Sequence, residues 1–235
     1  MDPQFDARVQ AVCETYLEAP QRWIEHGTHT ISTDEMTGIQ ALERIAPTKP
    51  TAPGQVERRE FEYARHGTQC LIANLDVVTG EVISPTVQAT RTEVDFVDHV
   101  ARTVATDPDA EWIIVCDQLN VHWSEGLVRY VAGQCQLPDD LGKKGRRGVL
   151  KSKATRKAFL EDKSHRIRFV YTPRHTSWLN QIEIWFSILM RRVLRRGSFR
   201  STKDLRDRLL AFIDYFNRTL AKPFKWTYTG RPLNL

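Results

Sequence analysis

Three carboxylates stand out by position. Asp34 closes the segment THTISTDEM (28–36), a short strand candidate. Asp117 ends the apolar run Trp112–Cys116, of the kind that a strand buried on both faces carries. Glu183 falls inside the edge of an apolar stripe drawn by Trp178, Ile182, Trp185, Leu189 and Val193 at three- and four-residue steps, with Leu179, Phe186 and Met190 widening it. At about 100° per residue Glu183 projects between Met190 and Leu194. An uncompensated carboxylate there is costly. Either it snorkels or pairs with a core Arg, or it points into a site that holds a cation.

In open α/β sheets functional groups collect at strand C-terminal ends, so Asp34 and Asp117 lie side by side if their strands are neighbours. Three converging carboxylates repel one another and raise each other's pKa. Two divalent ions resolve that repulsion, and an all-oxygen ligand set favours Mg²⁺ or Mn²⁺ over zinc. Such ions, about 3.5–4 Å apart, activate water or a 3′-hydroxyl on one side of a phosphodiester and stabilise the leaving oxygen on the other. Taken singly, Asp34 also suits a cap or turn, and Asp117 a cap on the turn before Asn120. A different acid arrangement, Glu161-Asp162-Lys163 after Asp139 or Asp140, has the E-x-K form of another nuclease class. It ends a helical segment, whereas that chemistry wants a strand.

The elements that must position these acids follow from the pattern. Residues 1–28 carry a short amphipathic helix (Val9, Val12, Cys13, Tyr16, Leu17) that exits at Pro20, and read as a lead-in; MDPQF leaves open whether the start is native. Residues 46–58, with three Pro and one Gly, are loop. CLIANLDVV and EVISPTVQA flank Thr79-Gly80 as a hairpin. Thr92 caps a helix over 92–106 with Val94, Val97, Val100, Ala101 and Val104 on one face. A short helix follows over Gly126–Ala132, a strand at 166–173, a helix from Pro173 that carries Glu183, and a last helix over 202–221 with Leu205, Leu209, Phe212, Ile213 and Phe216 inward. The result is an α/β fold, a mixed central sheet flanked by helices.

Between Lys143 and Lys157 stand eight basic residues and no acid, so 137–157 reads as a mobile, solvated basic insertion before the third acidic residue. The net charge of +5 leans the same way, towards a polyanionic partner. Phosphodiester chemistry needs such a cationic bed, and Lys143, Lys144, Arg146, Arg147, Lys151 and Lys153 are expected on DNA phosphates. Arg191, Arg192, Arg195 and Arg196, on the last turns of the Glu183 helix, join them, though they also complement the helix dipole. Trp178 and Trp185 are expected in the core. The four cysteines lie apart with no CxxC pair, which excludes a zinc finger or disulfide framework. No apolar run is long enough for a membrane span, so a soluble, cytoplasmic chain without a membrane partner is expected.

CDQLNVHWS (116–124) resembles the second-acid motif of mariner-superfamily transposases, a strand, Asp-Asn and a His. TPRHTSWLNQIEIWFSILMRR (172–192) resembles their third-acid motif, a Pro, then Ser-x-x-Leu-Asn-x-x-Glu and an aromatic-rich helix. The chain is most similar to the bacterial insertion-sequence six-thirty branch. The resemblance runs from about Thr28 to the C-terminus and implies an RNase H-like fold over 29–221, followed by a tail at 222–235. It implies a metal-binding catalytic triad of Asp34, Asp117 and Glu183, two Mg²⁺ ions with Mn²⁺ as substitute, and a homodimer acting on transposon ends and target DNA, at TA, in the bacterial nucleoid. STDE (32–35) is its shortest match, and Gln118 stands where Asn is common. Asp117 and Glu183 are 66 residues apart, more than the family's usual spacing, and the basic insertion accounts for the difference. The family's N-terminal helix-turn-helix region has no counterpart here, as in a truncated chain, one product of a split gene or a decayed copy. The last of these would occupy DNA without cutting it. Asn120 and His122 are expected to orient Asp117 or touch DNA, with turn and solvent-facing roles as the alternative. Asn180, one helical turn before Glu183, is placed to hydrogen-bond its carboxylate.

Overall fold

A computed structural model describes residues 5–47, 49–58, 60–137 and 140–230; the initial MDPQ, Asp139 and the last five residues of the tail lie outside the described residues. Five strands form one sheet: β1 (His29–Arg44), β2 (Tyr63–Asp76), β3 (Val82–Gln88), β4 (Trp112–Cys116) and β5 (Ile167–Tyr171), in the order β3-β2-β1-β4-β5. β1 is antiparallel to β2 and β2 to β3, whereas β4 runs parallel to β1 and β5 parallel to β4. The β2–β3 hairpin is where the sequence puts it. Asp76 Oδ1 accepts from the Val78 and Thr79 amides, and Gly80 takes φ 75°, which suits glycine.

β4 is apolar throughout and buried throughout, because helices cover both faces of the sheet. On one side its Trp112, Ile114 and Cys116 pack with α2 (Glu93–Val104), α3 (Glu125–Gln134) and α4 (Lys153–Leu160). On the other, Val115 packs under α1 (Phe5–His26), and α5 (Ile182–Leu189) and α6 (Thr202–Thr219) cover the β1–β3 half.

Several elements depart from the sequence pattern. α1 continues through Pro20, and Val9, Val12, Cys13, Tyr16 and Ala19 are buried against the sheet, so the segment read as a lead-in is part of the core. α2 opens on a Thr92–Asp95 capping box, but its inward face is Phe96, His99, Val100, Thr103 and Val104, with Val94 on the solvent side at 64% exposure. β1 does not stop at Asp34. Antiparallel pairing with β2 carries it on to Arg44, across register shifts between Met36 and Ile39 and between Gln40 and Leu42, with Gly38 at φ 64° inside the first.

The described part of the basic insertion from Asp140 onward packs on the core through its apolar residues. Leu141 and Leu150 are buried in the core beneath it, the Lys143 and Arg147 backbones pair, and the basic side chains from Lys143 to Lys153 stay exposed. Arg156, read as part of the basic run, is buried, donating to the carbonyls of Trp123 and Leu150. The helix expected from Pro173 begins only at Ile182, after a 3-10 turn at Ser177–Leu179. Its first amide donates to Ser32 Oγ at 2.9 Å, so a β1 hydroxyl caps the helix and fixes its start. At Met190–Leu194 the helix widens into a π turn. Trp185 is fully buried, but Trp178 is 56% exposed and lies edge-on to Tyr228, outside the core expected for it.

Candidate active site

Asp34 and Asp117 meet through the register of β1 and β4. The last parallel pair is Ser32 with Val115; two residues on, Asp34 follows within β1 and Asp117 just past the end of β4. Asp34 is thus level with Asp117 from the middle of a long strand, where β1 outruns its parallel partner. Alternation along β1 turns Ser32 and Asp34 towards α5, and Thr33 and Glu35 towards α2. On the α5 side, Asn180 fastens helix to strand. Its Nδ2 donates to Asp34 Oδ2 at 3.0 Å and to the Thr33 carbonyl at 2.9 Å, and its Oδ1 accepts from Ser32 Oγ. Asn180 therefore serves Asp34, and not the Glu183 carboxylate as its spacing suggested. Its own carbonyl accepts the Glu183 amide at 3.1 Å, which sets the backbone that carries Glu183.

The electrostatics tie the three acids together. Burial, then the negative charge of Asp117, push the Asp34 carboxyl up to about 7. Burial and Asp117 also raise Glu183. Asp117 itself is lowered: burial opposes its charge, but His122 and the Leu119 amide outweigh burial. The site thus keeps one firm anion and two acids that resist ionising beside it.

His122 is wholly buried, not solvent-facing. Its Nδ1 lies 2.8 Å from Asp117 Oδ1 and its Nε2 2.9 Å from Glu35 Oε1. The Phe96 ring packs on it at 4.3 Å and Tyr171 Oη donates to its carbonyl. Burial works against a charged imidazole, yet the Cys116 sulfur and the carboxylates of Asp117 and Glu35 raise its pKa well above the ordinary value. Glu35 is the residue that sequence reasoning missed. Its signal was a carboxylate facing the interior from a strand, which requires a partner. Asn120 does not reach Asp117; its Oδ1 accepts from Lys153 Nζ at 2.9 Å.

Among the described residues, no group of three or more His, Cys, Asp or Glu side chains closes to the spacing of a metal shell. The donors nonetheless fit a hard divalent cation. Asp117 Oδ1 is occupied by His122 and the Leu119 amide, but its other oxygen and the Glu183 carboxylate receive no donor among the described residues. Among the described residues no Arg pairs with Glu183. These free oxygens are the hard donors that a divalent cation would take.

The ten cationic side chains expected on DNA are all exposed. At the tip of the insertion Lys144 lies 3.7 Å from Glu125, and Arg147 pairs with Asp140 at 2.8 Å. Arg191 and Arg192 sit in the π turn, and Arg195 and Arg196 follow it. In the E-x-K alternative Glu161 is not on a strand: it caps α4 and pairs with Arg8 at 3.0 Å, and Asp139 lies outside the described residues. No helix among the described residues is long and apolar enough to cross a membrane.

The sequence profile of the DDE superfamily endonucleases matches residues 29–206. No curated protein sequence matches the chain. Among solved structures, the Mos1 mariner paired end complex with Mn superposes with a TM-score of 0.53 at 12% identity, covering 92% of this chain and 56% of that one. The chain thus spans little more than half the length of that protein. The catalytic domain of Mos1 mariner transposase gives 0.50 at 11% identity, covering 91% and 83%. The same domain with Raltegravir and Mn gives 0.50 at 10% identity, covering 91% and 84%. At these identities the likeness is one of fold: the RNase H-like architecture of mariner-type transposase catalytic domains.

Proposed function

The chain belongs to the DDE superfamily endonucleases, and from that premise we propose that it is a metal-dependent polynucleotidyl transferase that cuts and joins DNA at transposon ends. The observation that carries this reading is Asp34 and Asp117 level on adjacent parallel strands, with the Asp117 charge felt by both Asp34 and Glu183. In this reading Asp34, Asp117 and Glu183 hold two Mg²⁺ ions, for which Mn²⁺ substitutes. When bound, the ions supply an activated oxygen nucleophile and a stabilised leaving oxygen. His122 and Glu35 keep Asp117 ionised and aimed, and Asn180 holds the Asp34 carboxylate to the helix that carries Glu183. Lys143, Lys144, Arg146, Arg147, Lys151, Lys153, Arg191, Arg192, Arg195 and Arg196 bind the DNA backbone.

The finer parts of the reading rest on the motif resemblance: membership of the insertion-sequence six-thirty branch, insertion at TA, and a homodimer on paired ends in the bacterial nucleoid. A second reading, a chain that occupies DNA without cutting it, draws on the ten exposed cationic side chains, which suit phosphate with or without cleavage. Supercoiled plasmid incubated with Mn²⁺ separates the two. Nicking by the native chain that vanishes in Asp117→Asn and Glu183→Gln supports catalysis by these acids. Equal nicking in all three removes the triad. DNA retention without nicking in any of them favours the second reading.

A further inference from the structure

The helix that carries Glu183 has no cap of its own. Gln181 stands at the N-cap position of α5 and its side chain makes no cap, yet the first amides of a helix need acceptors from elsewhere. Two hydroxyls from distant elements supply them. The Ile182 amide donates to Ser32 Oγ of β1 at 2.9 Å, and the Gln181 amide donates to Tyr16 Oη of α1 at 3.4 Å. Tyr16 Oη also lies beside the Ser32 hydroxyl. The phenol is itself held in place. Tyr16 is 2% exposed, and the Trp226 ring of the tail packs edge-on against it with ring centres 5.0 Å apart. Two residues on, Tyr228 packs in the same way on Trp178, in the 3-10 turn that leads into α5. At Gly230 the tail runs so close to α1 that an added Cβ would meet Gln10 Cα at 3.0 Å. The tail thus braces, from outside, the two aromatic residues at the start of α5.

We propose that Tyr16 is a positioning residue for the site: through the Gln181 amide it fixes where α5 begins, and so where Glu183 stands relative to Asp34 and Asp117. A phenol oxygen suits this task because it is a hydrogen-bond acceptor on a rigid ring. It marks one point in space from an element on which none of the three acids lies. The same turn carries Asn180, which accepts from Ser32 and donates to Asp34 Oδ2. Tyr16 therefore touches, at Gln181 and beside Ser32, both neighbours of the amide that holds Asp34. The consequence for catalysis rests on the reading of the three acids as a site of phosphodiester chemistry; the hold on the turn does not.

Tyr16→Phe removes the oxygen and keeps the ring. Val9→Ala, which trims apolar packing from the same helix and no hydrogen bond to α5, is the control for stability alone. The test is amide hydrogen exchange over 181–184, together with plasmid nicking in Mn²⁺, on the full chain and both variants. Tyr16→Phe is expected to speed exchange in that turn about tenfold more than across the sheet. It should lower kcat for nicking about tenfold or more and leave KM for DNA unchanged. Val9→Ala should lose stability and keep both the turn and kcat near native. Native exchange and native kcat in Tyr16→Phe overturn the proposal and leave the catalytic reading in place. In a chain that nicks, either effect without the other overturns it too, as does a fall in kcat that Val9→Ala matches. Faster exchange of the turn in Tyr16→Phe, with no nicking even by the native chain, keeps the hold on the turn and removes the catalytic reading.

Discussion

At the scale of single residues the site is a balance between one stable anion and two reluctant ones. Glu35 and His122 sit 87 positions apart in the chain yet hydrogen-bond in the interior, and together they hold Asp117. Glu35→Gln keeps the shape and removes the charge behind the imidazole. If Asp117 holds metal as proposed, nicking in Mn²⁺ should fall about 10–100-fold, short of the loss in Asp117→Asn, because a group that orients a ligand acts through it. A rate equal to native would remove Glu35 from the account. The raised Asp34 carboxyl makes a second prediction, and its sign follows from linkage. Folding lifts this group from 3.8 to about 7, so between those values the folded state keeps a proton that the unfolded chain has released. Without metal, stability should therefore decline as pH climbs through that window, by on the order of a few kcal/mol, and level off above it. Chemical denaturation in EDTA at about pH 5 and about pH 8 reads the slope. Asp34→Asn should flatten it, and an unchanged slope in that variant would place its source elsewhere.

At the scale of elements, the crucial joint is between β1 and α5. Ser32 accepts the Ile182 amide and donates to Asn180, so one hydroxyl both caps the helix and fastens the Asn180 amide that holds Asp34. Ser32→Ala leaves the Ile182 amide and the Asn180 oxygen unpaired in the interior. The cost should be about 1–3 kcal/mol in urea unfolding, with nicking reduced beyond what the lost stability explains. Wild-type stability would show that the joint is dispensable. This joint was hidden in the sequence, where an apolar stripe from Trp178 to Val193 suggests one continuous helix. Periodicity reports which residues are apolar, not where a strand hydroxyl caps the first turn. The same limit applies to Trp178, whose place on the stripe gives no sign that the helix starts after it. The basic insertion shows the converse: its charges were legible, and the two leucines that anchor it were overlooked among them. Reversing Lys143, Lys144, Arg146 and Arg147 should weaken DNA binding and flatten its dependence on salt. A slope unchanged in the quadruple variant would mean that the tip does not touch phosphate.

At the scale of the whole molecule, the sheet was readable where it is driven by burial. The all-apolar β4, the β2–β3 hairpin and α6 with its spaced leucines follow from pattern alone, because each is decided by neighbours in sequence. The contribution of α1 to the core, the length of β1 and the α2 face turned inward depend on partners far along the chain, and local pattern does not contain them. The candidate acids Asp34, Asp117 and Glu183 could be singled out in the sequence because a carboxylate on a buried strand or apolar helix face is conspicuous. The buried bonds that orient them were not. All the scales meet in one claim, that these three acids form a seat for divalent cations. Electron paramagnetic resonance of Mn²⁺ titrated into the chain at neutral pH tests it without any DNA. The account predicts bound Mn²⁺ in the native protein and its loss in Asp117→Asn and in Glu183→Gln. Equal binding by all three proteins, or none by the native chain, would contradict it.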